Sequence, residues 1–260
     1  MAQKFYDLSQ PFYPGIPLWP WPVMADIEVK RISFPERDLF PGDPARGRVN
    51  KITNVITTKF HASTHMDAPL HVLENGMTVD QIPLSSCYGE GVVVDMRYLK
   101  KWDVIGKKDL DNAKPKIKKG DFVVVNTGWH KYFPKQGYVF FNHFPGFYTE
   151  AADWFVEHEV KAVAIDGGAM DHPCAHTPLY KYAHWLRDEY MAERGEDPDK
   201  LFPIYEPCHL ALAKAGIPGI EIAGGQIDEV TGKRCTLACF PIRFIGGEAS
   251  LARLVAIVEK

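Results

Sequence analysis

The sequence predicts an α/β domain in which a mixed, partly buried sheet is flanked by helices. Short, almost wholly apolar runs lie at 92–95, 122–126 and 160–165, and a helix-like segment precedes the last of them. Apolar runs of this length indicate strands that are buried on both faces, and strands that alternate with helices indicate an α/β fold. The sequence shows no internal repeat and no linker, so residues 1–260 are expected to form one domain.

The remaining elements follow from local patterns in chain order. Turn residues dominate 35–48, and the lysine-rich segment 100–119 is expected to be solvated surface. Helical spacing and terminal glycines predict helices, and β-branched runs predict strands. The predicted helices cover 149–159, 180–194 and 207–215, and the further strands cover 26–34, 52–58, 217–222, 237–244 and 249–258.

Composition excludes several classes of function. The chain has 46% hydrophobic residues, 24% charged residues and a net charge of −3, which gives no basic surface for nucleic acid. No stretch approaches the roughly 18 apolar residues of a membrane span, and the N-terminus lacks the apolar run of a signal peptide. The five scattered cysteines fit free thiols in a reducing compartment. We therefore expect a cytoplasmic protein that binds small molecules or further copies of itself.

Proline recurs at 11, 14, 17, 20 and 22, which makes this segment extended and rigid. Its aromatic residues include Phe12, Trp19 and Trp21. They either form one wall of an apolar substrate pocket, or clamp across the core or a subunit interface. The sequence favours neither interpretation.

The densest chemistry in the chain is at His61, His65, Asp67 and His71, within eleven residues that also contain Pro69. A single histidine is more often an ordinary hydrogen-bonded residue. Three histidines and a carboxylate in so short a stretch instead predict an ion site. These ligand types suit divalent ions such as Zn²⁺ and Mn²⁺.

The spacing of this cluster also predicts a bend. On a straight strand His61 and His65 would lie about 13 Å apart, which is too far for two metal bonds of about 2.1 Å. The chain should therefore bend between them, and the small residues Ala62, Ser63 and Thr64 permit it.

The pattern His61-x-x-Thr-His65-x-Asp67-x-Pro69-x-His71 resembles the signature of the metal-dependent cyclase superfamily, which includes bacterial kynurenine formamidase, isatin hydrolase and a γ-lactamase. The resemblance covers most of the chain and implies a swivelling β/β/α-like fold and a dimer or larger assembly. The family usually has glycine where this chain has Ser63.

The resemblance also implies a distal histidine and glutamate, twelve positions apart, and His209 and Glu221 have that spacing. The local cluster and the resemblance together predict that His61, His65 and Asp67 are the ligands of one divalent ion, Mn or Zn.

His71, His209 and Glu221 are then the catalytic candidates. A bound divalent ion lowers the pKa of water and polarises a carbonyl. Glu221 or His71 would take the water's proton, and His71 or His209 would protonate the leaving nitrogen. If a second ion is present, these three residues are ligands instead, and Asp67 and Glu221 bridge the two ions.

His172 and His176 follow the predicted strand at 160–165, at the end where α/β sheets place ligands. A polar position at the edge of the core is the commoner role for such histidines. Lining the pocket is the alternative for both.

The predicted function is hydrolysis of a cyclic amide. The extra length at 35–50 and 176–206 resembles the isatin hydrolase and lactamase branch more than the compact arylformamidases. A flat, partly aromatic substrate would be held by Trp19, Trp21 and Phe12 or Trp129. The alternatives are an arylformamidase that acts on N-formylkynurenine-like substrates and a non-catalytic, metal-containing binding protein.

Overall fold

A computed structural model describes residues 2–19, 26–34, 51–177 and 179–259. Its strands in these ranges are β1 (Gln3–Asp7), β2 (Glu28–Phe34), β3 (Lys51–Thr57), β4 (His65–Asp67), β5 (Tyr88–Asp95), β6 (Val104–Ile105), β7 (Phe122–Asn126), β8 (Gly146–Phe147), β9 (Ala162–Ile165), β10 (Gly219–Glu221), β11 (Lys233–Pro241) and β12 (Ala249–Glu259).

Helices alternate with these strands in the second half of the chain. The α-helices of the described residues are α1 (Lys107–Asp111), α2 (Gly137–Asn142), α3 (Thr149–Glu157), α4 (Pro173–His176), α5 (Leu179–Tyr182), α6 (His184–Arg194), α7 (Pro198–Leu201), α8 (Pro207–Ala215) and α9 (Ile227–Val230). Among the described residues, no helix combines the length and the apolarity needed to cross a membrane.

The main sheet is mixed, as predicted, and it closes into a barrel, which the sequence did not predict. Its strand order is β12–β11–β5–β7–β9–β10–β4, and β4 pairs again with β12. The pairs β5–β7, β7–β9 and β9–β10 are parallel, and the other pairs of the barrel are antiparallel. Closure depends on β12, because Ala249–Leu251 pair with β4 while the other end of the strand pairs with β1.

The apolar runs are buried on both faces, as expected. Val93 and Val124 belong to a cluster to which every strand of the barrel contributes, and this cluster fills the barrel. Val92 and Val123 point the other way and pack against Phe155 of α3 and against α8. Helices therefore cover one side of the barrel, consistent with an α/β domain.

The prediction that the lysine-rich segment 100–119 is solvated surface is wrong in part. The segment contains β6 and α1, and Trp102, Ile105 and Leu110 in it are at most 2% exposed. Apolar residues at intervals among the lysines pack against the domain while the lysines face outward. The predicted loop 35–48 lies outside the described residues.

β2 and β3 pair only with each other among the described strands, forming a separate antiparallel hairpin. All seven residues of β3 are exposed, including Ile52, Val55 and Ile56 at 51% each. This hairpin leads directly into the histidine cluster.

Candidate metal centre and its cavity

The chain bends between His61 and His65, as their spacing predicts. A 3₁₀ turn covers Phe60–Ala62, and Ser63 is extended with φ −150°. Because this φ is negative, serine occupies the position without needing the left-handed backbone that favours glycine. The bend brings His61 Nδ1 within 3.0 Å of His65 Nε2.

Strand pairing places Glu221 beside the histidines. In the antiparallel pair of β4 and β10, Glu221 lies opposite His65 and Gly219 opposite Asp67. His65 Nε2 is 3.3 Å from Asp67 Oδ1 and 3.6 Å from Glu221 Oε2. The intervening Met66 packs into the barrel, so the alternation of the strand directs the polar side chains to the opposite face.

The geometry of three donor atoms fits a divalent cation. His61 Nδ1, His65 Nε2 and Asp67 Oδ1 are separated by 3.0, 3.2 and 3.3 Å. Ligand atoms bound at about 2.1 Å around one tetrahedral ion lie about 3.4 Å apart. Both Asp67 carboxylate oxygens are buried without a hydrogen-bond partner in the described structure, an arrangement that is costly unless a cation satisfies them.

His209 reaches the same cluster from the first turn of α8. Asp171 accepts hydrogen bonds from the backbone N–H of Cys208 at 2.8 Å and of His209 at 3.0 Å, and from His209 Nδ1 at 2.6 Å. This leaves His209 Nε2 directed at Glu221 Oε1, 2.9 Å away, and at Asp67 Oδ2, 3.7 Å away. A carboxylate that fixes the tautomer and orientation of a ligand histidine is a common feature of metal sites.

Asp171 was not among the predicted site residues. The available signal was its position shortly after β9, at the carboxyl end of a buried strand. Its pairing with His209 spans 38 positions and depends on how α8 docks, which no local pattern encodes.

His71 completes the cluster at the end of the 3₁₀ turn Pro69–His71. Its ring centroid is 4.3 Å from that of His61 and 5.9 Å from that of His209. The structure therefore brings together all six predicted residues of the centre, whose roles as ligands or proton carriers stay predictions.

The carboxylates dominate the electrostatics of the centre. Burial lowers the pKa of His65, but Asp67 and Glu221 outweigh burial and raise it to about 9. Burial is likewise outweighed at His209, where Asp171, Asp67 and Glu221 hold the pKa well above its usual value. For His71 burial prevails and the pKa falls. An environment that favours protonated imidazoles also favours a metal cation.

The cluster opens into a cavity of about 630 Å³. This volume suits a small-molecule substrate. The wall facing the centre carries aromatic side chains and one ion pair. Its residues are Trp19, Phe60, Phe141, His176, Tyr205 and Glu206.

Two predicted substrate-binding residues do not line this cavity. Phe12 and Trp129 pack into an aromatic core cluster, and Trp129 Nε1 donates to the backbone carbonyl of Val139 at 3.2 Å. Apolar burial in this cluster accounts for both. Trp19 does lie on the cavity wall, where its role in binding stays a prediction. Trp21 lies outside the described residues.

His172 and His176, the two predicted histidines after β9, occupy different environments. His172 is fully buried, with its ring stacked on Phe202 at 4.2 Å and Nδ1 accepting from the backbone N–H of Cys174. His176, one turn later, lines the cavity.

Comparison with known proteins agrees with this architecture. Residues 6–172 match the Cyclase family model. The chain belongs to this family. It is 26% identical to the kynurenine formamidase of Erythrobacter litoralis over 254 residues, which cover 97% of this chain and 93% of the relative.

Two solved structures share the fold. Isatin hydrolase A from Ralstonia solanacearum superimposes with a TM-score of 0.75 at 22% identity, covering 99% of this chain and 92% of that one. A Bacillus stearothermophilus protein named a predicted metal-dependent hydrolase superimposes with a TM-score of 0.66 at 24% identity. The superposition covers 99% of each chain. The resemblance drawn from the sequence is confirmed at the level of family and fold.

Proposed function

We propose that this protein is a metal-dependent hydrolase that opens a cyclic amide. The observation that carries the proposal is the convergence of His61, His65 and Asp67, with two unsatisfied carboxylate oxygens, at a cavity with aromatic walls. These three residues would hold the ion, Mn or Zn. When bound, such an ion supplies Lewis-acid polarisation of a carbonyl and a lowered pKa for water.

The chain's own residues would position the substrate and move its protons. Trp19 and Phe141, whose ring centroids lie 5.2 Å apart in an edge-on arrangement, would hold a flat ring. Glu221 or His71 would accept a proton from water, and His71 or His209 would donate one to the leaving nitrogen. In a two-ion arrangement these last three residues would be ligands.

Turnover of isatin, a bicyclic γ-lactam and N-formylkynurenine, before and after chelator treatment, tests the proposal. We expect one of the cyclic amides to be hydrolysed fastest, with activity lost on chelation and restored by Mn²⁺ or Zn²⁺. Elemental analysis of the purified protein would give the metal and its stoichiometry. Undiminished activity in metal-free protein would overturn the mechanism.

The alternative enzyme activity is that of an arylformamidase. The kynurenine formamidase of Erythrobacter litoralis supports it, because that protein aligns over nearly the whole chain. The same panel separates the two activities, since this alternative requires N-formylkynurenine to be the fastest substrate.

A metal-containing binding protein without catalysis is the alternative of another class. His71→Ala and Glu221→Ala separate it from an enzyme. A purely structural site would lose stability together with its metal, whereas a catalytic site would lose rate and keep its fold.

We also propose a cytoplasmic homo-oligomer, a dimer or larger. All five cysteines are unpaired, which fits a reducing compartment. The hairpin of β2 and β3 exposes apolar residues, and an isolated hairpin is marginally stable in water. Sedimentation of the full chain tests the assembly. A monomer would also exclude a role for the proline-rich segment 11–22 at a subunit interface.

A further inference from the structure

The wall of the cavity carries an ion pair that the proposed chemistry does not use. His176 ends α4, and Glu206 immediately precedes α8. His176 Nδ1 lies 2.9 Å from Glu206 Oε1, and the two side chains are only 17% and 16% exposed.

The backbone holds Glu206 in an unusual conformation. Its φ of 46° and ψ of 47° are left-handed, and its N–H donates to the carbonyl of Ala175 at 2.9 Å. Glycine adopts this conformation freely, whereas a residue with a Cβ is strained there. Backbone strain of this kind concentrates at functional sites, so a glutamate at this position calls for a role for its carboxylate.

The pair lies next to the donor cluster. The His176 ring stacks on that of His209, with centroids 5.5 Å apart, and it meets the Trp19 ring edge-on with centroids 4.6 Å apart. Ligand atoms of His176, Glu206 and His209 all lie within 4.8 Å of one another. A substrate whose carbonyl faces the donor cluster therefore brings its neighbouring groups to Glu206.

The carboxylate of Glu206 is an acceptor. Burial raises its pKa, but the hydrogen bond and charge of His176 outweigh burial and lower it to about 2. An ionised carboxylate offers several lone pairs and no donor. His176 Nδ1 lies beside one oxygen, and the Tyr205 hydroxyl donates a hydrogen bond to the same carboxylate, which leaves further lone pairs for a substrate donor.

We propose that Glu206, positioned by His176, selects amide substrates that carry an N–H by accepting a hydrogen bond from it. The inference rests on the proposed amide hydrolysis and specifies its substrate class. In an amide the N–H is attached to the same carbon as the carbonyl oxygen, so both can be bound at once. An N-alkyl amide would set a methyl group against the carboxylate and could not donate this hydrogen bond, which is unfavourable in a largely buried site.

Isatin and N-methylisatin provide the test, because they differ at this one position. For the wild-type holoenzyme we expect kcat/KM to favour the N–H substrate by about 10- to 100-fold, the range of a hydrogen bond to a charged group. In Glu206→Gly this preference should be lost. In Glu206→Gln, whose amide oxygen is a weaker, uncharged acceptor, the preference should be reduced. The loss should come through a higher KM for isatin with kcat within about threefold.

Two different substitutions are used so that the test still works if one of the variants does not fold. Gln has the shape of Glu, and Gly relaxes the left-handed backbone. Glu196→Gln is the matched control, because it removes the same charge from an exposed position in the segment between His176 and Glu206. A purely structural role for Glu206 would change both substrates equally and leave their ratio unaltered.

The outcomes separate the two proposals. If no amide is hydrolysed, the proposed function fails. If wild type hydrolyses both isatins equally, or if Glu206→Gly keeps the wild-type preference, this inference is overturned while amide hydrolysis stands. Formanilide and N-methylformanilide provide the same comparison for arylformamidase activity.

Discussion

The two sides of the cavity are built in different ways. The donor side takes His61, His65, Asp67 and His71 from one short stretch, and a bend and a three-residue strand place them. The opposite wall, here called the selecting side, consists of Trp19, Phe141, His176, Tyr205 and Glu206, which come from distant parts of the chain. We infer that the primary metal-ligand set of this protein is encoded locally, and that its substrate selection depends on how separate segments dock.

Removing one charge from the donor side should have the largest effect. Asp67→Asn keeps the shape of the side chain but removes the charge that faces His61 and His65. We expect loss of the metal and a fall in kcat/KM of about 1000-fold, because Lewis-acid stabilisation contributes several kcal/mol. Elemental analysis and amide turnover measure the two effects.

Asp188→Asn, at an exposed position of α6, is the control for that change and should keep both metal and activity. If Asp67→Asn retained a full complement of metal and wild-type turnover, the donor side would not be the metal centre.

The same contrast explains what the sequence could predict. The His61–His71 stretch is recognisable in the sequence because it contains so many candidate metal ligands, and their spacing alone predicts the bend. Glu221 needed the family resemblance, and the register of β4 and β10 then placed it opposite His65. Barrel closure was not predictable, because the pairing of β12 with β4 joins segments more than 180 residues apart.

The selecting side was predicted poorly for a physical reason. Aromatic residues serve cores and pockets equally well, so Trp129 and Trp19 look alike in sequence. Both pack in the same buried aromatic cluster, but only Trp19 also lines the cavity. Glu206 carries no local signal, since its backbone N–H pairs with the carbonyl of Ala175, 31 positions earlier in the chain.

Asp171→Asn should have the second largest effect, because it acts on the donor side through His209. Asparagine can donate to His209 Nδ1, which would favour the wrong tautomer and turn an N–H toward Glu221. We expect a loss of about 10- to 100-fold in kcat/KM, as is typical when the partner of a ligand histidine is changed, with an altered pH–rate profile.

Asp166→Asn is the matched control, since Asp166 is also buried and accepts from His130 Nδ1 at 2.9 Å, but His130 does not line the cavity. It should lower thermal stability more than it lowers the specific activity of folded protein. Equal losses of specific activity in the two variants would contradict an orienting role for Asp171.

The buried His172 should make the folding stability of the protein sensitive to acid. Burial lowers the pKa of His172 to about 3, from 6.5 when unfolded. Below pH 6.5 the unfolded chain therefore binds a proton that the folded chain excludes, so stability falls as the pH falls toward 3. At pH 5 this costs about 2 kcal/mol relative to pH 7.

Denaturant unfolding of wild type and His172→Asn at pH 7 and pH 5 measures this cost. Asparagine can also cap α4 but does not titrate. The variant should therefore lose about 2 kcal/mol less than wild type over the interval. Parallel losses in the two proteins would exclude His172 as the group responsible.

The smallest effect should come from replacing an aromatic side chain of the selecting side with a smaller one. Trp19→Leu removes a ring that contacts Phe141 and His176 edge-on. Aromatic contacts of this kind contribute about 0.5–1.5 kcal/mol, so KM for isatin should rise by up to about tenfold while kcat stays within threefold. Trp129→Leu makes the same change in the same aromatic cluster but away from the cavity. Both variants should lose thermal stability, and only Trp19→Leu should raise KM. An unchanged KM in Trp19→Leu, or an equal rise in both variants, would mean that Trp19 supports the fold and does not contact the substrate. The selecting side would then be reduced to Phe141, Tyr205 and the ion pair.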